Sequence, residues 1–217
     1  MNWKTTIWTS FITLALALSA FHLVRWLRRR ELLYLLFVLL GVSIAAQAAA
    51  EIWMFRATSI EEYGLALRWF QVPIFFAFCM VVGIIHLRFK TDRLWLGLFA
   101  CGMRLVSLFI NFVQDPNLNY VALTSIDTLT LLGEDVATVE GVSSPWMLVA
   151  QVALVSLLVY ILDAAVTIWR RERNLRAVLF CGALALLVFA GTLQGVLIFW
   201  EIIQTPMLAA PFFIGVT

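Results

Sequence analysis

Six long apolar runs divide this chain, and most of its charges lie in the joints between them. The runs cover residues 7–26, 32–55, 65–87, 94–113, 146–169 and 177–203. A helix of roughly 20 apolar residues crosses the hydrocarbon of a bilayer, so each run predicts a membrane-spanning helix. With 63% hydrophobic and 13% charged residues, the chain is excluded from the soluble single-domain class. A last apolar stretch, 206–217, holds about a dozen residues, too few to span alone, and reads as a truncated seventh helix. The predicted fold is an all-α polytopic bundle forming a single domain over 1–217. The net charge of +2 argues for no nucleic-acid partner. Cys79, Cys101 and Cys181 all lie inside apolar runs and read as packing residues.

Orientation follows from the short loops. Arg25, Arg28, Arg29 and Arg30 join the first two runs; Arg88, Lys90 and Arg93 join the third and fourth; Arg170, Arg171, Arg173 and Arg176 join the fifth and sixth. Eleven of the fifteen cations thus share one side, which the positive-inside rule makes cytoplasmic. Glu61, Glu62, Asp115, Asp127, Glu134, Asp135 and Glu140 occupy the other. The N-terminus is therefore expected outside. The first run is followed by arginines instead of a small-residue cleavage site, so it reads as a retained helix. Tryptophans cluster near the run ends, as interfacial anchors do.

The loop 114–145 is the one sizeable segment outside lipid. Tyr120–Leu132 is rich in β-branched residues and is followed by Gly133-Glu134-Asp135 and then Val136–Val139, which predicts a short extracytoplasmic β-hairpin over the outer mouth of the bundle. The competing reading is a solvated connector with no ligand role.

The stretch Ser125–Trp146, together with Pro206–Val216, resembles the N-terminal seven-helix sensor region of bacterial PAS-containing sensor histidine kinases, over the whole chain. The resemblance implies a multi-pass protein of the bacterial inner membrane whose seventh helix continues into cytoplasmic PAS and kinase domains. It further implies a homodimer formed through those domains and a response regulator as phosphorylation partner. No phosphoacceptor-histidine box or ATP-binding box is present here, so the chain looks like an excised sensor module without a catalytic motif of its own.

Chemistry is then sought in polar residues within the spans, which are costly in lipid and usually face the bundle interior. Arg104, halfway along the fourth span, needs a partner. Helical side chains lean toward their own N-terminus, so Arg104 and Asp163 on the antiparallel fifth span lean toward one another, predicting a structural ion pair. The alternative is a ligand-binding Arg104. Asn111 continues the same face outward. A second group sits at comparable outer depth: Gln47 and Glu51, Arg68, Trp69 and Gln71, and Gln194, Trp200 and Glu201, with Gln151 and Trp53 nearby. Apolar walls bearing a few polar groups suit a small-molecule pocket. The competing reading makes Glu51, Arg68 and Glu201 snorkelling interfacial residues and the glutamines interhelical glue.

Pro73 and the Gly191-Thr-Leu-Gln-Gly195 segment read as packing devices. His22 and His86 sit at similar depth near the cytoplasmic ends, the weak basis for a bis-histidine haem. No clustered metal-ligand or nucleophile motif occurs. The expected function is sensory input: a small ligand, lipid-soluble ones included, shifts the helices, and the seventh helix relays the shift to output domains. No cofactor is predicted; the alternative is a membrane redox module binding quinone or haem.

Overall fold

The computed structural model describes residues 3–131 and 133–200. Its helices are α1 (Trp3–Arg29), α2 (Leu32–Phe55), α3 (Ile60–Phe89), α4 (Leu94–Val113), α5 (Met147–Glu172) and α6 (Leu175–Phe199). Strands β1 (Tyr120–Leu131) and β2 (Glu134–Ser143) lie between α4 and α5. All six helices are long and apolar enough to cross a membrane, giving the chain the character of a multi-pass helical membrane protein. The expected seventh span and the end of the sixth, beyond residue 200, lie outside the described residues.

Helix ends follow capping chemistry as well as hydropathy. Helices α2 and α4 coincide with their apolar runs. Helix α3 starts at Ile60, ahead of the run at Leu65, because Ser59 caps it. The Ser59 hydroxyl accepts from the Glu62 N–H at 3.1 Å, and the Glu62 carboxylate accepts from the Thr58 N–H at 3.0 Å. This reciprocal arrangement satisfies donors that the first turn leaves open. Helices α1 and α5 run past their apolar stretches, and each carries two arginines in its last turn, Arg28 and Arg29, and Arg170 and Arg171. Cations there complement the negative end of the helix dipole.

Neighbours in sequence are neighbours in space, from α1 on α2 through to α5 on α6; α6 rests chiefly on α5. The main core gathers Leu40, Ile44, Phe78, Ile85, Leu157 and Tyr160. On α4 the buried residues are Gly97, Ala100, Arg104, Ser107 and Asn111, a stripe at the spacing of one helical face. Gly97 is required at the crossing of α3, α4 and α5: a Cβ there would stand 2.6 Å from Val82 Cγ1 and 3.2 Å from the Tyr160 ring. The opposite face of α4 exposes Trp95, Phe109 and Val113, as a lipid-facing surface does.

The hairpin expected between the fourth and fifth spans is present, with its second strand extended to Ser143. It turns at Gly133, whose φ of +82° a residue with a side chain rarely adopts. Its underside is packed: Tyr120 and Ala137 join Met54, Leu67 and Phe70, while Val136 joins Trp8 and Phe55. The hairpin is therefore seated on the ends of α1, α2 and α3 that lie opposite the basic loops.

Candidate functional site

Arg104 is 4% exposed, and a charge so buried must be compensated. Its Nη2 donates to Gln71 Oε1 on α3, and its guanidinium lies 5.5 Å from the centre of the Phe78 ring. The expected Arg104–Asp163 pair does not form. Asp163 instead accepts from Arg93 Nη1 at 2.9 Å. Arg93, at the basic end, stands level with Asp163, whereas Arg104 is roughly 16 Å further along α4 at 1.5 Å per residue and turns toward α3. The leaning of the two side chains set a direction along the axis but not the rotation of the helix. A double-mutant cycle in purified protein checks this. Arg93 and Asp163 should couple by about 1 kcal/mol or less, since Arg93 is 64% exposed. Arg104 and Asp163 should be additive within about 0.5 kcal/mol; coupling well above that would reinstate the expected pair.

Arg104 and Gln71 line a cavity of about 90 Å³ inside the bundle. Gln47 from α2, Asn119 from the base of the hairpin, Gln151 from α5 and Thr192 from α6 supply its other polar groups. Phe70, Phe78, Leu154 and Val188 make apolar wall, and Gly191 and Gly195 give α6 a side-chain-free face toward it. The space accommodates a handful of waters or a ligand of comparable size.

Three of the residues around this cavity carry unsatisfied polar atoms. Gln47 is 0% exposed, and neither its Nε2 nor its Oε1 has a hydrogen-bond partner. Arg104 Nε and Asn119 Nδ2 are also buried without one. Among the described residues, four of the six buried side-chain atoms in this condition belong to residues lining this one cavity. Each such atom costs about 1–3 kcal/mol, and native interiors contain few of them. The set offers three donors and one acceptor around an apolar space, which suits a small oxygen-bearing molecule.

Of the outer polar group read from the sequence, Gln47, Gln71 and the nearby Gln151 line the cavity, whereas Glu51, Arg68, Trp69, Gln194 and Trp200 do not. Glu51 is fully buried between α1 and α2, where its carboxylate accepts from Trp8 Nε1. Arg68 turns to the segment after α4: Nε donates to Pro116 O at 2.9 Å, and Nη2 donates to Gln114 O at 3.2 Å and to Asp115 Oδ1 at 2.9 Å. Asn111 completes this tie, donating to Arg68 O at 2.9 Å and accepting from the Leu118 N–H at 3.2 Å. Trp69 is 51% exposed and meets Phe112 edge-on at 5.5 Å. Gln194 is half-buried on α6 beside the wall residues, and Trp200 is half-exposed at the end of that helix. Glu201 lies outside the described residues. Equal depth does not imply a common direction, and these side chains point to different neighbours.

Two lining residues carried little signal in the sequence. Asn119 sits in a loop where polar residues are ordinary, and Thr192 hides within a small-residue packing segment. The two histidines meet different surroundings. The His22 ring stacks on Phe37 at 4.8 Å, while His86 Nδ1 lies 3.5 Å from Thr91 Oγ1, which in turn contacts the Tyr160 hydroxyl at 2.9 Å. A bis-histidine haem would require both rings to leave these contacts. Among the described residues no group of three or more His, Cys, Asp or Glu side chains is arranged to hold a metal ion.

Fold and cavity together define a polytopic helical membrane protein with a small, largely apolar chamber inside its bundle that a few polar groups face. Comparison with family models, curated proteins and solved structures finds no match to this chain.

Proposed function

We propose that this chain is the membrane-embedded sensory input module of a bacterial two-component signalling protein, binding a small oxygen-bearing ligand in the cavity between α2 and α6. The observation that carries the ligand-binding part of the reading is the convergence of the partnerless Gln47, Arg104 and Asn119 atoms on one cavity. An occupant that accepts from Arg104 Nε and Gln47 Nε2 and donates to Gln47 Oε1 satisfies groups the fold leaves open. A ligand acts as a signal only if it binds two helix arrangements unequally, and α6, which supplies one wall, also leads to the remainder of the chain. The sensor assignment rests on the resemblance of the 125–146 and 206–216 segments, with the protein in the inner membrane and its N-terminus outside.

Two measurements test this. The coding sequence following residue 217 should continue into PAS and histidine-kinase domains; a stop codon or an unrelated domain there removes the sensor assignment. For orientation, Asp135→Cys should react with an impermeant thiol reagent from outside intact cells and Arg173→Cys should not, and the reverse pattern overturns the topology. The redox alternative is separated by a visible absorption spectrum and a lipid extract of the purified protein. Bound haem or quinone in about equimolar amount would favour it over ligand sensing.

A further inference from the structure

A second cavity, of about 770 Å³, opens at the basic end of the bundle where α1, α2, α3 and α6 meet. Arg25, Arg88 and Arg176 line it from three different helices, joined by His22 and Asn174. At this end of the molecule three described carboxylates are engaged elsewhere: Glu31 lies 4.0 Å from Arg29, Asp92 accepts from Arg171 at 2.7 Å, and Asp163 pairs with Arg93 at 2.9 Å. Among the described residues no carboxylate lines this cavity. Like charges drawn from three helices repel, so their convergence without a carboxylate is itself a sign of an anionic occupant.

The remaining lining fits the same occupant. His22 Nδ1 is buried without a hydrogen-bond partner, a further donor site in its protonated tautomer. Asn174 caps α6, accepting from the Ala177 N–H at 3.2 Å, so the positive end of that helix faces the same space. The walls are apolar and aromatic: Leu33, Tyr34, Phe37, Ile84, Phe89 and Phe180. A free inorganic anion has no use for such walls, whereas a headgroup attached to a glycerol and acyl chains does.

We propose that this cavity binds the phosphate headgroup of one anionic phospholipid from the leaflet at the basic end of the bundle. The arginine forks hold the phosphate oxygens, and the aromatic walls receive the glycerol and the first methylenes. Basic pockets between membrane helices recognise anionic lipid headgroups by this chemistry. The site joins α6 to α1, α2 and α3 at the end where the lipid surface lies.

The test uses the full chain in neutral detergent, with native mass spectrometry and thermal unfolding as readouts. Phosphatidylglycerol should be retained at one molecule per chain and should raise the unfolding midpoint, and phosphatidylcholine should do neither. Arg88→Gln combined with Arg176→Gln should weaken retention on the order of tenfold or more. Arg28→Gln combined with Arg170→Gln, which removes equal charge away from the cavity, should stay within about threefold. Ala177→Phe fills the cavity with every charge kept and should also expel the lipid, which guards against a charge variant that fails to fold. Equal losses in the two charge variants would reduce the effect to diffuse surface attraction and overturn the site. Inorganic phosphate stabilising the chain as well as the lipid would overturn the lipid assignment.

Discussion

Arg68→Ala is expected to destabilise the folded chain by about 2–4 kcal/mol, the largest loss among the polar residues of the hairpin half of the bundle. Arg68 is half-buried, with 24% of its side chain exposed, and its guanidinium reaches two backbone carbonyls, Pro116 O and Gln114 O, as well as Asp115. These contacts bind the segment after α4 to the hairpin end of α3. Truncation leaves both carbonyls without their charged donor. Asp115 contributes little to the effect, because its side chain is 96% exposed and solvent screens the pair; Asp115→Ala should change stability by less than about 1 kcal/mol. Arg68→Lys keeps the charge but loses the fork that serves several acceptors at once, so it should recover less than half of the loss. Unfolding midpoints in detergent give the ranking, and limited proteolysis within 114–119 reports the loop directly. An Arg68→Ala protein with parental stability and an equally protected loop would show that these bonds hold nothing together.

Gln47→Leu should move stability and function in opposite directions. The two side chains are close in volume, and the substitution removes two partnerless polar atoms from a site with no exposure. The folded chain should gain about 1–2 kcal/mol. The same change removes a donor and the acceptor that a ligand would use, so a full-length receptor in vesicles should lose its response. A residue whose removal stabilises the fold and silences the protein is one kept for binding. Interhelical glue behaves otherwise: if Gln47 bridged helices, leucine would lower stability. A loss of 1 kcal/mol or more would therefore remove Gln47 from the site.

The sequence foretold the helices better than it foretold their partners. Hydropathy marks what lies in hydrocarbon, so the limits of α2 and α4 were legible to the residue. Helix α3 began earlier because Ser59 and Glu62 close its first turn outside the apolar run. Depth along the bundle axis was equally legible, and it placed Gln47, Gln71, Arg68 and Glu201 in one group. Rotation about each helix axis was not legible, since an all-round apolar helix presents no polar stripe to orient it. Gln47 and Gln71 turned inward, Trp69 outward, and Arg68 toward a loop whose course no periodicity reveals. Arg104 was recognised as needing a partner and was assigned the wrong one because the stripe on α4 tells which face is buried but not which helix it meets.

One consequence follows from α6 resting chiefly on α5 while forming a wall of the chamber. In mechanical terms, among the described residues, it is the side of the box braced chiefly by one neighbour. An occupant that widens the chamber works mainly against the α5–α6 interface. Helix α6 has 25 residues and so acts as a lever roughly 37 Å long. On a lever of that length, a tilt of about 3° carries one end through roughly 2 Å. Gly191 and Gly195 lie near the Trp200 end of that lever, so a change of filling there reaches Trp200, where the rest of the chain departs, at about its own size.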